Sequence, residues 1–141
     1  MTPEQITLVQ ASFQRVGARL PDLATRFYVE LFRRDPALRP LFTTDLAEQE
    51  VRFARKLTEL VQAIPSLDEL LDHTQALGAR HVGYGVRAAD YQTVGAALFD
   101  ALAAVLGDGF DPETRQAWVV AYNLMAETML DGAASARPVG R

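Results

Sequence analysis

The chain has 141 residues, 49% of them hydrophobic and 23% charged, the balance of one globular domain. Its 14 Lys+Arg are outnumbered by 18 Asp+Glu, giving a net charge of −4, so the clustered positive surplus that nucleic acid requires is missing. Cysteine is absent and only His73 and His81 supply imidazole, which excludes disulfides, thiolate metal sites, cysteine nucleophiles and multi-histidine metal sites.

No apolar run approaches the roughly 20 residues of a membrane span. The start, Met1-Thr2-Pro3-Glu4-Gln5, is polar and acidic where a secretion signal is basic and then apolar, so the expected location is cytoplasmic. Thr2 reads as an N-cap, Pro3 as the first helical residue and Gln5 as the far side of a capping box. Ile6, Val9, Phe13 and Val16 then recur at spacings of three and four, one apolar face of a helix. The pattern breaks between Gly17 and Pro21, and a second helix turns Leu23, Phe27, Tyr28, Leu31 and Phe32 inward.

Asp35-Pro36 caps a short third element, which Pro40 is expected to end or bend before Leu41-Phe42. A Thr43-Thr44-Asp45 loop leads to a helix carrying Phe53, Leu57, Leu60, Val61 and Ile64, stopped by Pro65. Ser66-Leu67-Asp68-Glu69 is a second capping box, opening a helix through Leu70, Leu77 and His81 that Gly83 and Gly85 break. A long helix from about Arg87 to Leu106 carries Tyr91, Val94, Leu98, Leu102 and Val105. After Gly107-Asp108-Gly109, Asp111-Pro112-Glu113 starts a last helix with Trp118, Tyr122, Met125 and Met129 on one stripe. The prediction is an all-α domain over residues 1–132 with a disordered tail over 133–141.

Phosphate loops, hydrolase elbows and zinc-protease motifs are all missing. His81 shares a helix face with Leu77, Thr74 and Leu70 and ends an apolar stripe just before two glycines. Spacing alone leaves two readings open, a terminal histidine favoured by the helix dipole and a metal ligand. Tyr28 on an apolar face must place its hydroxyl either at the rim or on a partner, and Gln49 alone reads as a surface glutamine. His73, between Asp72 and Thr74, receives no role.

Taken together, the layout resembles the globins, and within them the single-domain bacterial globins and the globin part of flavohaemoglobins. Three stretches carry the likeness. Phe27-Tyr28-x-x-Leu31-Phe32 leads to Pro36-x-x-Arg39-Pro40-Leu41-Phe42; Arg80-His81-x-x-Tyr84-Gly85-Val86 leads to Asp90-Tyr91-x-x-Val94-Gly95; Ala117-Trp118 is followed by Ala121-Tyr122. The likeness covers about residues 4 to 131.

That resemblance implies a globin fold around haem b (iron protoporphyrin IX) and reversible binding of O2, NO and CO. It makes His81 the proximal iron ligand, Phe42 the ring packed flat on the porphyrin, Tyr28 and Gln49 the distal polar pair, and Phe53 the distal apolar residue where leucine is commoner. Arg80 corresponds to a basic partner of a haem propionate, with Arg52 a second candidate, and Tyr91 to the tyrosine that reaches toward the proximal histidine. The glutamate that polarises this histidine in flavohaemoglobins would align near Ala133, where none stands. The chain stops where flavin and nicotinamide domains would begin, so nitric oxide dioxygenation is expected to need a separate flavin reductase. Three roles follow: an oxygen-binding protein, a reductase-dependent nitric oxide dioxygenase, or a haem-free globin-fold sensor or interaction module.

Overall fold

The computed structural model describes residues 2–42, 45–65 and 88–135. Helix α1 (Pro3–Val16) begins with the expected capping box: Thr2 Oγ1 accepts from the Gln5 N–H at 3.1 Å, and Gln5 Oε1 accepts from the Thr2 N–H at 2.9 Å. Such a cap is worth about 1 kcal/mol relative to alanine. Gly17 ends the helix at φ +46°, a backbone that side chains rarely adopt, and a 3-10 turn (Gly17–Arg19) reorients the chain.

Helix α2 (Leu20–Arg34) accommodates Pro21 in its first turn, where no N–H partner is lost, so the break is shorter than the Gly17–Pro21 interval suggests. A second 3-10 run spans Pro36–Leu41, opened by Asp35 Oδ1 accepting from the Ala37 N–H. Pro40 lies inside this run instead of ending it. The turn closes around it because the Phe42 N–H, not proline, supplies the donor to the Arg39 carbonyl. Helix α3 (Leu46–Ala63) is capped by Asp45 and buries Leu57, Leu60, Val61 and Ala63.

The helix expected over Ser66–His81 lies outside the described residues. Helix α4 (Ala88–Leu106) and helix α5 (Pro112–Ser135) follow, separated by a 3-10 turn over Gly107–Gly109. The α5 helix continues past the expected boundary at 132 as far as Ser135; residues 136–141 lie outside the description. Among the described residues all regular structure is helical, and none of the helices is long and apolar enough to cross a membrane.

Packing follows the apolar stripes. Helix α2 lies chiefly against α4 and also against α3, while α1 packs on α5. Leu23, Leu31, Leu102 and Trp118 are fully enclosed at the centre. The one indole is held by a buried bond of 2.8 Å from Trp118 Nε1 to Ser12 Oγ, whose own proton goes back to the α1 carbonyls of Leu8 and Val9. Both polar groups of this contact, the Trp118 indole N–H and the Ser12 hydroxyl, are therefore satisfied inside the core.

Candidate functional site

The site is built where α2, the Pro36–Leu41 run and α3 meet. Tyr28 points from α2 into this junction and is 4% exposed. Four rings surround it: Phe27 at 5.0 Å, Phe42 at 5.5 Å, and Phe32 and Phe53 at 5.9 Å between centroids. Phe27, Phe42 and Phe53 present near-perpendicular planes, the favoured edge-to-face arrangement. Phe27 and Phe53 stack almost parallel at 4.2 Å, which joins α2 to α3 and fixes Phe53 as part of the wall.

Phe42 is held from behind. Its ring packs on Phe32 at 5.5 Å, and its carbonyl accepts from Arg39 Nη1 at 3.1 Å while the same guanidinium lies over the Phe32 ring. The short 3-10 run thus delivers one aromatic side chain to the junction and anchors it on both sides.

Into this apolar enclosure the chain places polar atoms. The Tyr28 hydroxyl is hydrogen-bonded to the side chain of Gln49, in the first turn of α3. Burial pushes the Tyr28 hydroxyl up to about 12; the Gln49 bond works against that rise, and the nearby Glu50 charge adds to it. The phenol is therefore fully protonated at neutral pH, a fixed donor in a dry setting. One carboxylate oxygen of Glu50 is buried without a hydrogen-bond partner.

The Tyr91 side chain lies on the neighbouring helix α4 and is also 4% exposed. Its main-chain carbonyl accepts a hydrogen bond from the hydroxyl of Tyr122 on α5. Burial also raises the Tyr122 hydroxyl well above the ordinary tyrosine range.

Of the sequence-predicted residues, Tyr28, Phe42, Gln49 and Phe53 form one junction, and Tyr91 is buried on α4. Arg52, the second propionate candidate, pairs with Glu48 at 2.7 Å on an exposed stretch of α3. His81, Arg80 and His73 lie outside the described residues.

Sequence reasoning missed three features. Glu30 is buried, and nothing in its sequence neighbourhood marks it as enclosed. It pairs with Arg26 at 3.1 Å and with Arg33, while Asp100 on α4 receives Arg34 at 2.6 Å. The buried oxygen of Glu50 left no sequence signal. The Tyr122–Tyr91 bond had a faint one, a glycine four residues after Tyr91 inside a helix, where close approach of another group is the usual reason.

Comparison with known proteins gives a consistent picture. The family model described as Globin matches residues 25–129. A flavohemoprotein of Deinococcus radiodurans is 33% identical over 137 residues, covering 92% of this chain and 33% of that protein. A flavohemoprotein of Vibrio cholerae is 23% identical, covering 93% of this chain and 34% of its own. The chain thus spans about one third of the length of these curated relatives. The solved structure of a bacterial globin from Campylobacter jejuni superposes with a TM-score of 0.84 at 27% identity, over 95% of this chain and 97% of that one. A hexacoordinated heme protein from an anhydrobiotic tardigrade shares the fold at a TM-score of 0.86 and 18% identity, over 95% and 96% of the two chains.

Proposed function

The chain belongs to the globin family, and we propose that it is a haem b protein that reversibly binds O2, and also NO and CO, within a domain spanning residues 1–132. The observation that carries the reading is the protonated Tyr28 hydroxyl, bonded to Gln49 and walled by Phe27, Phe42 and Phe53. This is the chemistry a distal haem pocket needs: flat apolar surface for the porphyrin and a single directed donor for a small ligand.

Haem supplies, when bound, a ferrous iron that takes up a diatomic gas. In this reading His81 would hold the iron, Arg80 would offer charge to a propionate, Phe42 would pack on the porphyrin, and Phe53 would narrow the space for ligand. Tyr28, keeping its proton, would donate a hydrogen bond to a bound gas, and Gln49 would set the direction of that donor. A hydrogen bond to a charged acceptor contributes about 1.5–3 kcal/mol, so O2 is favoured over the less polarised CO. Glutamine is a poor iron ligand, so Gln49 would leave the iron free to take up a gas.

The test is an absorption spectrum of purified protein reconstituted with haem, ferrous, before and after oxygen, beside His81→Ala. A Soret band that moves with oxygen and is lost or altered in the variant supports the proposal. Failure of stoichiometric haem uptake overturns it and leaves a haem-free globin-fold sensor or interaction module.

A second reading draws on the flavohemoprotein relatives: nitric oxide dioxygenation in the cytoplasm with electrons from a separate flavin reductase. Nitrate yield per nitric oxide consumed, with an added reductase, separates this from oxygen binding alone.

A further inference from the structure

Helix α3 turns one continuous face to the core. Leu57 and Leu60 are buried on it, and Leu46 and Phe53 of its first half pack against the same core. Glu50 follows Leu46 by four residues and precedes Phe53 by three, so it stands on this apolar face. The other two acidic residues of the helix are paired: Glu48 with Arg52 at 2.7 Å and Glu59 with Lys56 at 2.9 Å. Glu50 has no such cation among the described residues, and one of its carboxylate oxygens is closed off from solvent with no hydrogen bond. A carboxylate in that position costs free energy that no partner repays. Sites that act on ligands are where such local rules are broken.

The group beside it is Tyr28. Gln49, its neighbour in the chain, is bonded to the Tyr28 hydroxyl, and Phe53, next on its face, meets the Tyr28 ring edge-to-face at 5.9 Å. The Glu50 charge lies close enough to that hydroxyl to hold its proton more firmly, while the Gln49 amide works the other way. The two consecutive residues therefore pull on one proton in opposite senses. A phenol that holds its proton more firmly shares it less with a third acceptor, and so gives that acceptor a weaker hydrogen bond.

We infer that Glu50 is a positioning residue that sets gas specificity: its carboxylate, unpaired on the core face of α3, restrains the Tyr28 donor and so limits the preference for O2 over CO. This rests on the reading above, in which Tyr28 is the donor to the gas. Glu50 acts through the Tyr28 hydroxyl alone.

The experiment uses the full chain, haem-loaded and ferrous, as four proteins: unsubstituted, Glu50→Gln, Tyr28→Phe, and both substitutions together. Glutamine keeps the shape of the side chain and removes its charge. Stopped flow gives the release rates of O2 and of CO. Glu50→Gln should slow O2 release roughly 2- to 12-fold, the span of one ordinary hydrogen bond, and leave CO release in place. In the Tyr28→Phe background the same exchange should change neither rate. Glu50→Asp, which keeps a carboxylate, should stay closer to the unsubstituted ratio of the two rates than Glu50→Gln does. Equal slowing of both gases, an effect that survives without Tyr28, or an aspartate variant that behaves like the glutamine one overturns the inference. A second measurement needs no haem: in unloaded protein carrying carbon-13 tyrosine, the Tyr28 Cζ resonance, identified by its loss in Tyr28→Phe, should titrate at lower pH in Glu50→Gln. A titration that does not move overturns the inference as well. Failure of the parent reading also takes it down, and is told apart because the unsubstituted protein then shows no Soret band that moves with oxygen.

Discussion

Replacing Gly95 by alanine tests its close approach to the Tyr122 ring. On an exposed helix the change would stabilise by about 1 kcal/mol, because alanine loses less backbone freedom. Here the new methyl meets the Tyr122 ring at 2.6 and 2.9 Å. The ring is boxed by Phe99 and tied to the Tyr91 carbonyl, so it can withdraw only by giving up both contacts. Overpacking of this kind costs about 1–3 kcal/mol, and the lost hydrogen bond adds about 1 kcal/mol. Set against the propensity gain, Gly95→Ala should destabilise by about 1–3 kcal/mol. For a chain of this length that lowers the melting temperature by about 3–10 °C. Urea denaturation followed by circular dichroism measures it. The decisive companion is the same substitution in a Tyr122→Leu background, where the obstructing ring is gone and alanine should become neutral or stabilising, a coupling of about 1–3 kcal/mol. If Gly95→Ala is as stable as the parent with Tyr122 in place, the close approach is not a constraint and the reasoning fails.

Four other outcomes follow from the same contacts. Ser12→Ala leaves the buried Trp118 N–H without an acceptor and should cost about 1–3 kcal/mol, with fluorescence of the single tryptophan as the reporter. Tyr28→Phe removes the donor from the proposed distal pocket and should speed oxygen release roughly 10- to 150-fold by stopped flow; an unchanged rate removes Tyr28 from that role. With its folded value raised from 10 to about 12, Tyr28 holds its proton longer in the native state than in the unfolded one, so stability falls as pH rises through that window. Denaturation midpoints between pH 9 and 12 should therefore drop less steeply in Tyr28→Phe. Glu30, held below the ordinary carboxylate range chiefly by its bond to Arg33, contributes stability that is present above that range and fades as pH falls through its lowered value. Glu30→Gln should flatten the acid limb of the stability curve, and an unaltered limb would count against it.

What the residues disclosed in advance was whatever is decided locally. The Thr2–Gln5 box and the Asp35 cap depend on a few neighbouring positions and are where the spacing puts them; the helix expected to run through Ile64 to Pro65 ends at Ala63, and the Asp45 cap adds to the loop read there. Pro40, expected to end or bend its element, stands one residue before the end of a 3-10 run that closes through the Phe42 N–H. Non-local features were out of reach. The Tyr28–Gln49 bond depends on how α2 crosses α3, and periodicity contains no crossing angle. Glu30 between Arg26 and Arg33 reads the same whether the helix face is wet or dry, and packing of α2 on α4 decides it. Tyr28, Phe42, Gln49 and Phe53 were singled out through family resemblance; on pattern alone they would have passed as core and surface.

The two tyrosines of the proposed haem site are carried by one helix pair. Tyr28 belongs to α2 and Tyr91 to α4, and these helices make the most extensive contact in the described fold. Fully buried Ala97 and Ala101, one turn apart on α4, allow close approach, while Leu23 and Leu31 of α2 are enclosed completely. The Arg34–Asp100 and Arg33–Asp100 pairs join the same helices near the rim. Partly exposed ion pairs contribute at most about 1 kcal/mol each, so they set register more than they supply stability. Burial of the apolar faces supplies the stability, at roughly 25 cal/mol for each Å2 removed from water. A ligand donor is useful only if it is held within about 0.5 Å of its working position, which loops seldom achieve and packed helices do. Tyr28 and Tyr91 stand on the most extensively packed pair, and Gln49 on a third helix that meets Tyr28 through its side-chain bond and the Phe53 ring. Exchange of Gln49 alters the orientation of one hydroxyl, whereas any change at the α2–α4 contact displaces both tyrosines together.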